Sequence, residues 1–204
     1  FGPEGLYPAP PKPLCEVMII TFSKTVLDHA LQHFNCRQIA FLPGLNGGMP
    51  IYGLNHEGHT IGFVMSPITA PVAGMTIEDC AHITGARRFV LFGSCGALDA
   101  SLTEGRLIVP THSYRDEGLS YHYAPAAEFI EVKNAPRVAA ILQELDIPHV
   151  QGRVWTTDAI YRETRDNVKR RRQQGCIAVD MECSGLQALC DFRGFEYYTF
   201  FYTG

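Results

Sequence analysis

Two carboxylates, Asp180 and Glu182, bracket Met181 at the end of an apolar run, Cys176-Ile177-Ala178-Val179. The run ahead of them reads as a buried strand, and the residues behind them as a helix. Desolvating an unpaired carboxylate costs roughly several kcal/mol, so the pair needs a specific polar partner. A ligand hydroxyl is one candidate. A local arginine or a helix N-terminus is the plainer one.

Other chemistry-bearing residues fall at similar junctions. Gly93-Ser94-Cys95-Gly96 leaves the apolar strand Phe89–Phe92 with two glycines around a hydroxyl. That shape lets backbone N–H groups approach an anion or a base, and it also suits an ordinary tight turn. Thr156-Thr157-Asp158-Ala159-Ile160-Tyr161-Arg162-Glu163 follows a strand at Val150–Trp155. There Asp158 is either a turn cap or a functional acid, and Arg162 has Glu163 and Asp166 as nearby partners. In open α/β sheets ligands gather at the carboxyl ends of strands, which is where all three loops lie. A fourth segment, Tyr114 to Tyr123, carries three tyrosines and a histidine among its charges. It reads as a pocket wall or a subunit contact, against the alternative of plain surface.

Alternating elements must position these loops. Glu16–Thr21 is a short strand, and Ser23 caps a helix placing Val26, Leu27, Ala30, Leu31 and Phe34 on one face. Residues 43–60, rich in Gly, Pro and Asn, form a hairpin or loop. Ile61–Met65 is a strand, Thr76–Thr84 a helix, and Leu107–Pro110 a strand followed by a polar segment. Pro136 opens a helix with Val138, Ile141, Leu142 and Leu145 inward. Residues 162–174 form a basic helix, Ile177–Val179 a strand, and Cys183 to Phe192 a helix that Gly194 ends. Tyr197–Thr203 is β-prone and apolar. The pattern predicts an α/β fold: a mixed, largely parallel sheet flanked by helices in three layers.

Residues 1–14 hold five prolines and predict an extended arm, loose or laid across a neighbouring subunit. Residues 15–204 form one domain. Because its last apolar segment is followed only by Gly204, the sequence is expected to stop short of the native C-terminus. It opens at Phe1 rather than Met, which leaves room for a removed address.

Composition excludes several classes. Across 204 residues, 19% are charged and 46% apolar, with net charge −4, a globular balance able to bury a substantial core. The densest basic run, Lys169 to Arg172, is too short for nucleic-acid binding and reads as a solvated helix face. No stretch is long and apolar enough to span a membrane, and no signal-peptide pattern appears. The seven cysteines are odd in number and lack a CxxC pair, which predicts reduced buried thiols in a cytoplasmic protein. Cys183 and Cys190 read as core filler.

Taken in order, GSCGAL (93–98), YRDEGLSYHY (114–123), TTDAIY (156–161) and AVDMECSG (178–185) resemble the nucleoside phosphorylase family. That family includes uridine phosphorylase, purine nucleoside phosphorylase and methylthioadenosine nucleosidase, and the likeness looks closest to the uridine-phosphorylase-like branch. It spans Cys15 to Gly204. The resemblance implies cleavage of a nucleoside's N-glycosidic bond by phosphate, giving a free base and ribose 1-phosphate, with no cofactor or metal ion. Positive charge builds on the ribose ring as the bond breaks, so a carboxylate holding the 2′-hydroxyl stabilises that state. On this reading Glu182 grips the ribose hydroxyls, Met181 packs against the sugar and Asp180 supplies a second acid there. Cys95, Gly96, Ile160 and Arg162 border the base, while Ser94 and Lys24 meet phosphate. The family also implies a homo-oligomer, dimer or hexamer, whose sites a partner subunit completes.

The departures from the family pattern matter as much. Phosphate-using relatives carry an arginine where this chain has Leu91, and another where it has Thr21-Phe22-Ser23-Lys24. The stretch Gly44–Gly48 offers no third. Arginine grips a phosphate dianion bidentately, so its loss opens a nucleosidase using water, or a non-catalytic nucleoside-binding protein, as competing readings. A glutamine that reads uracil in uridine phosphorylases is missing from Arg162–Arg165. The chain also ends before the aspartate with which purine-cleaving relatives protonate the base.

Overall fold

β-Prone and helical runs alternate along the chain, and a computed structural model, describing residues 2–44 and 47–203, turns that alternation into a twisted sheet with helices packed over it. The order is β1 (Val17–Thr21), α1 (Lys24–His33), β2 (Cys36–Leu42), β3 (Met49–His56), β4 (His59–Met65), α2 (Ala70–Thr84), β5 (Arg88–Ala97) and α3 (Ala100–Thr103). Then come β6 (Leu107–Asp116), α4 (Ser120–Tyr123), β7 (Phe129–Glu131), α5 (Ala135–Glu144) and β8 (His149–Thr157). The chain continues with α6 (Arg165–Gln173), β9 (Cys176–Asp180), α7 (Cys183–Arg193) and β10 (Glu196–Thr203).

The expected α/β sheet is present, with one addition that alternation could not reveal. Strands β4, β1 and β5 run parallel, and the wing continues with β3 antiparallel to β4 and β2 antiparallel to β3. On the other side β10 pairs parallel with β5 and also touches β6, β6 pairs with β8, β8 with β9, and β9 returns to β5. The five strands β5, β10, β6, β8 and β9 therefore close into a ring. Closure depends on β5 being long enough to serve β1 through Arg88 to Phe92, β10 through Arg88 to Cys95 and β9 through Gly96 and Ala97.

Two large apolar cores, with a smaller cluster of Leu98, Trp155, Cys176 and Val179, hold this arrangement. Met18, Ile20, Val64, Phe89 and Leu91 pack with Ile77, Leu186 and Leu189 of the covering helices α2 and α7. Ile108, Val109, Val154, Ile177 and Phe201 pack with Val138 and Leu142 of α5. Each large side chain fully buried here contributes roughly 1.5–3 kcal/mol over its exposed state.

Several expectations need correction. The Gly93–Gly96 segment is strand, not turn: a Cβ at Gly93 would lie 2.9 Å from Phe22, and one at Gly96 would lie 2.8 Å from Val179. These glycines serve close approach rather than chain reversal. Phe34, Ile141 and Leu145, expected inward, are exposed: Phe34 and Leu145 are the cap residues that end α1 and α5, and Ile141 lies off the α5 face that buries Ala135, Val138, Ala139 and Leu142. Strand β2 goes beyond the reading, as does the start of α2 at Ala70 and the extension of β6 into the polar segment. Within the basic run, Arg171 is buried, stacked 3.3 Å from the Tyr114 ring and bonded to Gln174. Its long stem and planar head fill an aromatic slot that the polar pattern of α6 hides.

The proline-rich arm lies along its own chain. Pro3–Gly5 makes a 3-10 turn, His82 Nε2 donates to the Tyr7 carbonyl at 2.7 Å, and Leu14 N–H donates to the Thr84 carbonyl at 2.7 Å. Of the glycine-rich stretch 44–48, residues 45 and 46 lie outside the described residues, as do Phe1 and Gly204. No helix among the described residues is long and apolar enough to cross a membrane.

Candidate active site

Strand register brings three segments to one place. Thr156 at the end of β8 aligns with Asp180 at the end of β9, and Gly96 of β5 pairs with Val179. The ends of β1 and β4 coincide separately, with Thr21 between Met65 and Phe92, the latter midway along β5.

Asp180 is committed to the scaffold. Its Oδ1 accepts the Thr156 hydroxyl at 2.7 Å, and its Oδ2 accepts the backbone N–H groups of Glu182 at 2.9 Å and Cys183 at 2.6 Å. These are the bonds of a carboxylate capping the start of α7, so the helix N-terminus is this acid's partner. Thr156 is fixed in turn by Ser113 Oγ at 2.6 Å and by the Ser184 N–H at 3.1 Å. Burial still pushes the Asp180 carboxyl up to about 6, against the lowering effect of those donors.

Glu182 has a different environment. It is only 6% exposed, yet no arginine or lysine among the described residues pairs with it. Its Oε1 accepts one hydrogen bond, from the Thr69 N–H at 2.6 Å. Burial, followed by the charge of Asp180, pushes its carboxyl up to about 8, while the bonded Thr69 N–H, and the Met181 N–H nearby but outside hydrogen-bond geometry, oppose the shift. A buried acid titrating near neutrality without a cation is suited to meeting a ligand. Met181 is half-buried beside it, its carbonyl accepting the Ala70 N–H at 2.9 Å.

The Tyr114–Tyr123 segment packs against the same strand ends. Glu117 is buried, its carboxylate accepting the Ser184 hydroxyl and the Ser120 N–H, both at 2.9 Å. Arg115 is spent on the same segment, donating to Ser120 Oγ and the Pro125 carbonyl and stacking on Tyr121. Asp158 Oδ2 accepts the Gly118 N–H at 2.8 Å, which joins the β8 loop to this segment.

The remaining residues named from sequence divide into two groups. Cys95 is buried behind Asp180, its thiol pushed up to about 12 by burial and then by that acid, and Gly96 is exposed beside Val179. Both therefore share the Glu182 neighbourhood. Ser94 is exposed on β5. Lys24 stands exposed on α1 and pairs with Asp28 at 2.7 Å. Ile160 and Arg162 lie exposed on the 3-10 turn that follows Asp158. Neither Lys24 nor Arg162 bonds to the Glu182 carboxylate among the described residues.

Sequence reasoning missed Thr69, Glu117, Ser113 and Ser184 as contributors. Ser66-Pro67-Ile68-Thr69 follows β4 at the same sheet edge as the other loops, so the strand-end rule offered a signal for Thr69. The others act through contacts made only on folding.

Comparison with known proteins agrees with this geometry. A family model described as the phosphorylase superfamily matches residues 16–202. The chain is 26% identical over 151 residues to a guanosine phosphorylase of Halorubrum lacusprofundi, covering 71% of this chain and 60% of that protein. It is also 26% identical over 145 residues to a DeoD-type purine nucleoside phosphorylase of Limosilactobacillus reuteri, covering 68% of this chain and 60% of the relative. The matches thus span about 60% of these relatives' lengths. The crystal structure of uridine phosphorylase from Vibrio fischeri ES114 superposes with a TM-score of 0.80 at 20% identity, over 98% of this chain and 85% of that one, a likeness of fold. With its motifs, fold and matched span in agreement, the chain belongs to the phosphorylase superfamily.

Proposed function

We propose that the protein is a pentosyltransferase that cleaves the N-glycosidic bond of a uridine-like nucleoside with phosphate. The C1′–N bond breaks with its electron pair leaving on the base, an oxygen of hydrogen phosphate bonds to C1′, and the proton that phosphate gives up ends on the base, giving free base and ribose 1-phosphate. The observation that carries this reading is the buried Glu182 carboxylate, held by one backbone N–H and matched with no cation among the described residues. Such a group can take a ribose hydroxyl and stabilise positive charge developing on the ring. Met181 would pack against the sugar. Cys95, Gly96, Ile160 and Arg162 would border the base, and Ser94, with Lys24 nearby, would meet the anion. Asp180 acts on this reading by holding the 181–183 backbone, a change from the direct ribose contact expected of it.

A second reading, hydrolysis by water, is favoured by one specific observation. Leu91 is wholly buried in the core, and Lys24 is neutralised by Asp28, so the described chain offers phosphate no free cation at that strand end. Purified protein incubated with uridine, inosine, guanosine and methylthioadenosine, each with and without phosphate, separates the two. Base release that depends on phosphate supports the transferase. Equal release without phosphate selects the nucleosidase, and binding without turnover removes both.

We also propose a cytoplasmic homo-oligomer. Leu6, Met75, Ile68 and Phe41 are exposed apolar residues, and a cleft of about 860 Å³ lined by Leu6, Leu42, Met49 and Met75 supports a subunit contact there. A fully active monomer by light scattering would count against it.

A further inference from the structure

Three non-glycine residues have positive φ among the described residues. Glu57 and Asp146, at φ 50° and 54°, sit in the ordinary left-handed region. Thr69 does not: it is β-branched, with φ 87° and ψ 140°, a combination that side-chain-bearing residues avoid. Its N–H is also the one hydrogen-bond donor to the Glu182 carboxylate among the described residues, at 2.6 Å. The next N–H, of Ala70, donates to the Met181 carbonyl at 2.9 Å, so two consecutive backbone donors grip the 181–182 segment.

The approach that makes this possible is built into both helices. Gly185 on α7 lacks the Cβ that would stand 2.6 Å from the Ala70 Cβ, which lets α2 start directly against the loop. The Thr69 side chain makes no capping hydrogen bond to its helix, and its carbonyl accepts the Ala73 N–H at 3.0 Å to open α2. The residue's contribution therefore runs through its backbone. Outliers of this kind persist only where the surroundings over-determine them.

We infer that Thr69 is a positioning residue: its unusual backbone conformation is held so that its N–H, reinforced by that of Ala70, aims and fixes the Glu182 carboxylate. This rests on the reading of Glu182 as the sugar-facing acid. A side chain with a single partner would otherwise be free to rotate away from the cleft or to keep its proton beside Asp180. A backbone N–H to the charged form works against both.

The test removes the N–H alone, by introducing the α-hydroxy analogue of threonine at position 69 so that the amide becomes an ester. Carbon-13 NMR titration of the Glu182 carboxyl is expected to move up by about one pH unit. Turnover at neutral pH should fall about tenfold and recover at higher pH, a response that lost stability alone does not produce. Gly185→Ala, which pushes Ala70 off the loop, should shift the titration in the same direction and serves if the ester form does not fold. Thr69→Gly keeps the N–H and relieves the backbone, so its titration should match the parent while its unfolding temperature rises. An unmoved titration in the ester form or in Gly185→Ala, or a shift in Thr69→Gly as large as theirs, would overturn the inference. Glu182→Gln separates the two levels. Normal turnover in that variant sinks the reading of Glu182 itself. An inactive Glu182→Gln alongside an unmoved ester form sinks only the role of Thr69.

Discussion

The two strand-end regions of this molecule are built differently. Where β8 and β9 end, Asp180, Thr156, Ser113, Ser184 and Glu117 are buried and bonded to one another or to backbone N–H groups, and Glu182 alone is left with a single donor. At the end of β1 and along β5, Lys24 and Ser94 are exposed, and Lys24 is already paired. Pre-organisation costs stability unless every buried polar group is satisfied. The molecule concentrates it at the acid that would meet the sugar and leaves the other end solvated. On the proposed reading, a site of this design would stabilise charge on a ribose ring better than it would grip an anion.

The sharpest way to break that contrast is to remove its centre. Glu182→Ala should lower turnover on the order of 10²-fold or more, measured with whichever nucleoside the wild type cleaves, with circular dichroism confirming an unchanged fold. A near-normal rate would mean that the ordered region is not the reacting one. Asp180→Ala should act first on stability. It strips a hydroxyl and two backbone N–H groups of their acceptor, which costs on the order of 2–4 kcal/mol by chemical denaturation. A loss below about 1 kcal/mol would show that water replaces the carboxylate and that the site is wetter than its burial implies.

A pH series sharpens the comparison further. The folded-state acidities of Asp180, about 6, and Glu182, about 8, lie above the unfolded values of 3.8 and 4.5. The native state therefore binds more protons than the unfolded chain between roughly pH 4 and 8, so these groups make stability fall as pH rises through that window. Denaturant midpoints taken across it should decline, and Glu182→Gln should flatten the upper half. The smallest effect belongs to the exposed region: Lys24→Ala should change stability by less than about 0.5 kcal/mol, as exposed i,i+4 pairs do. On the phosphorolytic reading the KM for phosphate should rise in the same variant, and an unchanged KM would remove that ammonium from the site.

Much of this was legible in the residues. Period-2 and period-3.6 patterns marked β1, β4, β8, β9 and α7, Ser23 marked the α1 cap, and the strand-end rule placed the acids and the 156–163 loop. The failures share a cause. Gly93 and Gly96 look like turn glycines until Phe22 and Val179 are seen against them. Arg171 looks solvated until the rings of Tyr114 and Trp155 close around it. In both cases a distant segment decides the role of a residue whose local sequence suggests another.

By itself the sequence determined the alternation of elements, the family and the positions of the acids, because hydrophobic periodicity and short motifs are local properties of the chain. Only the tertiary structure decided that β5, β10, β6, β8 and β9 close into a ring, that Asp180 is a cap, and that the Glu182 carboxylate meets the Thr69 N–H. Those outcomes depend on which segments approach within hydrogen-bonding distance, such as residues 69 and 182, 113 positions apart. Nothing in the local chemistry of either encodes that approach.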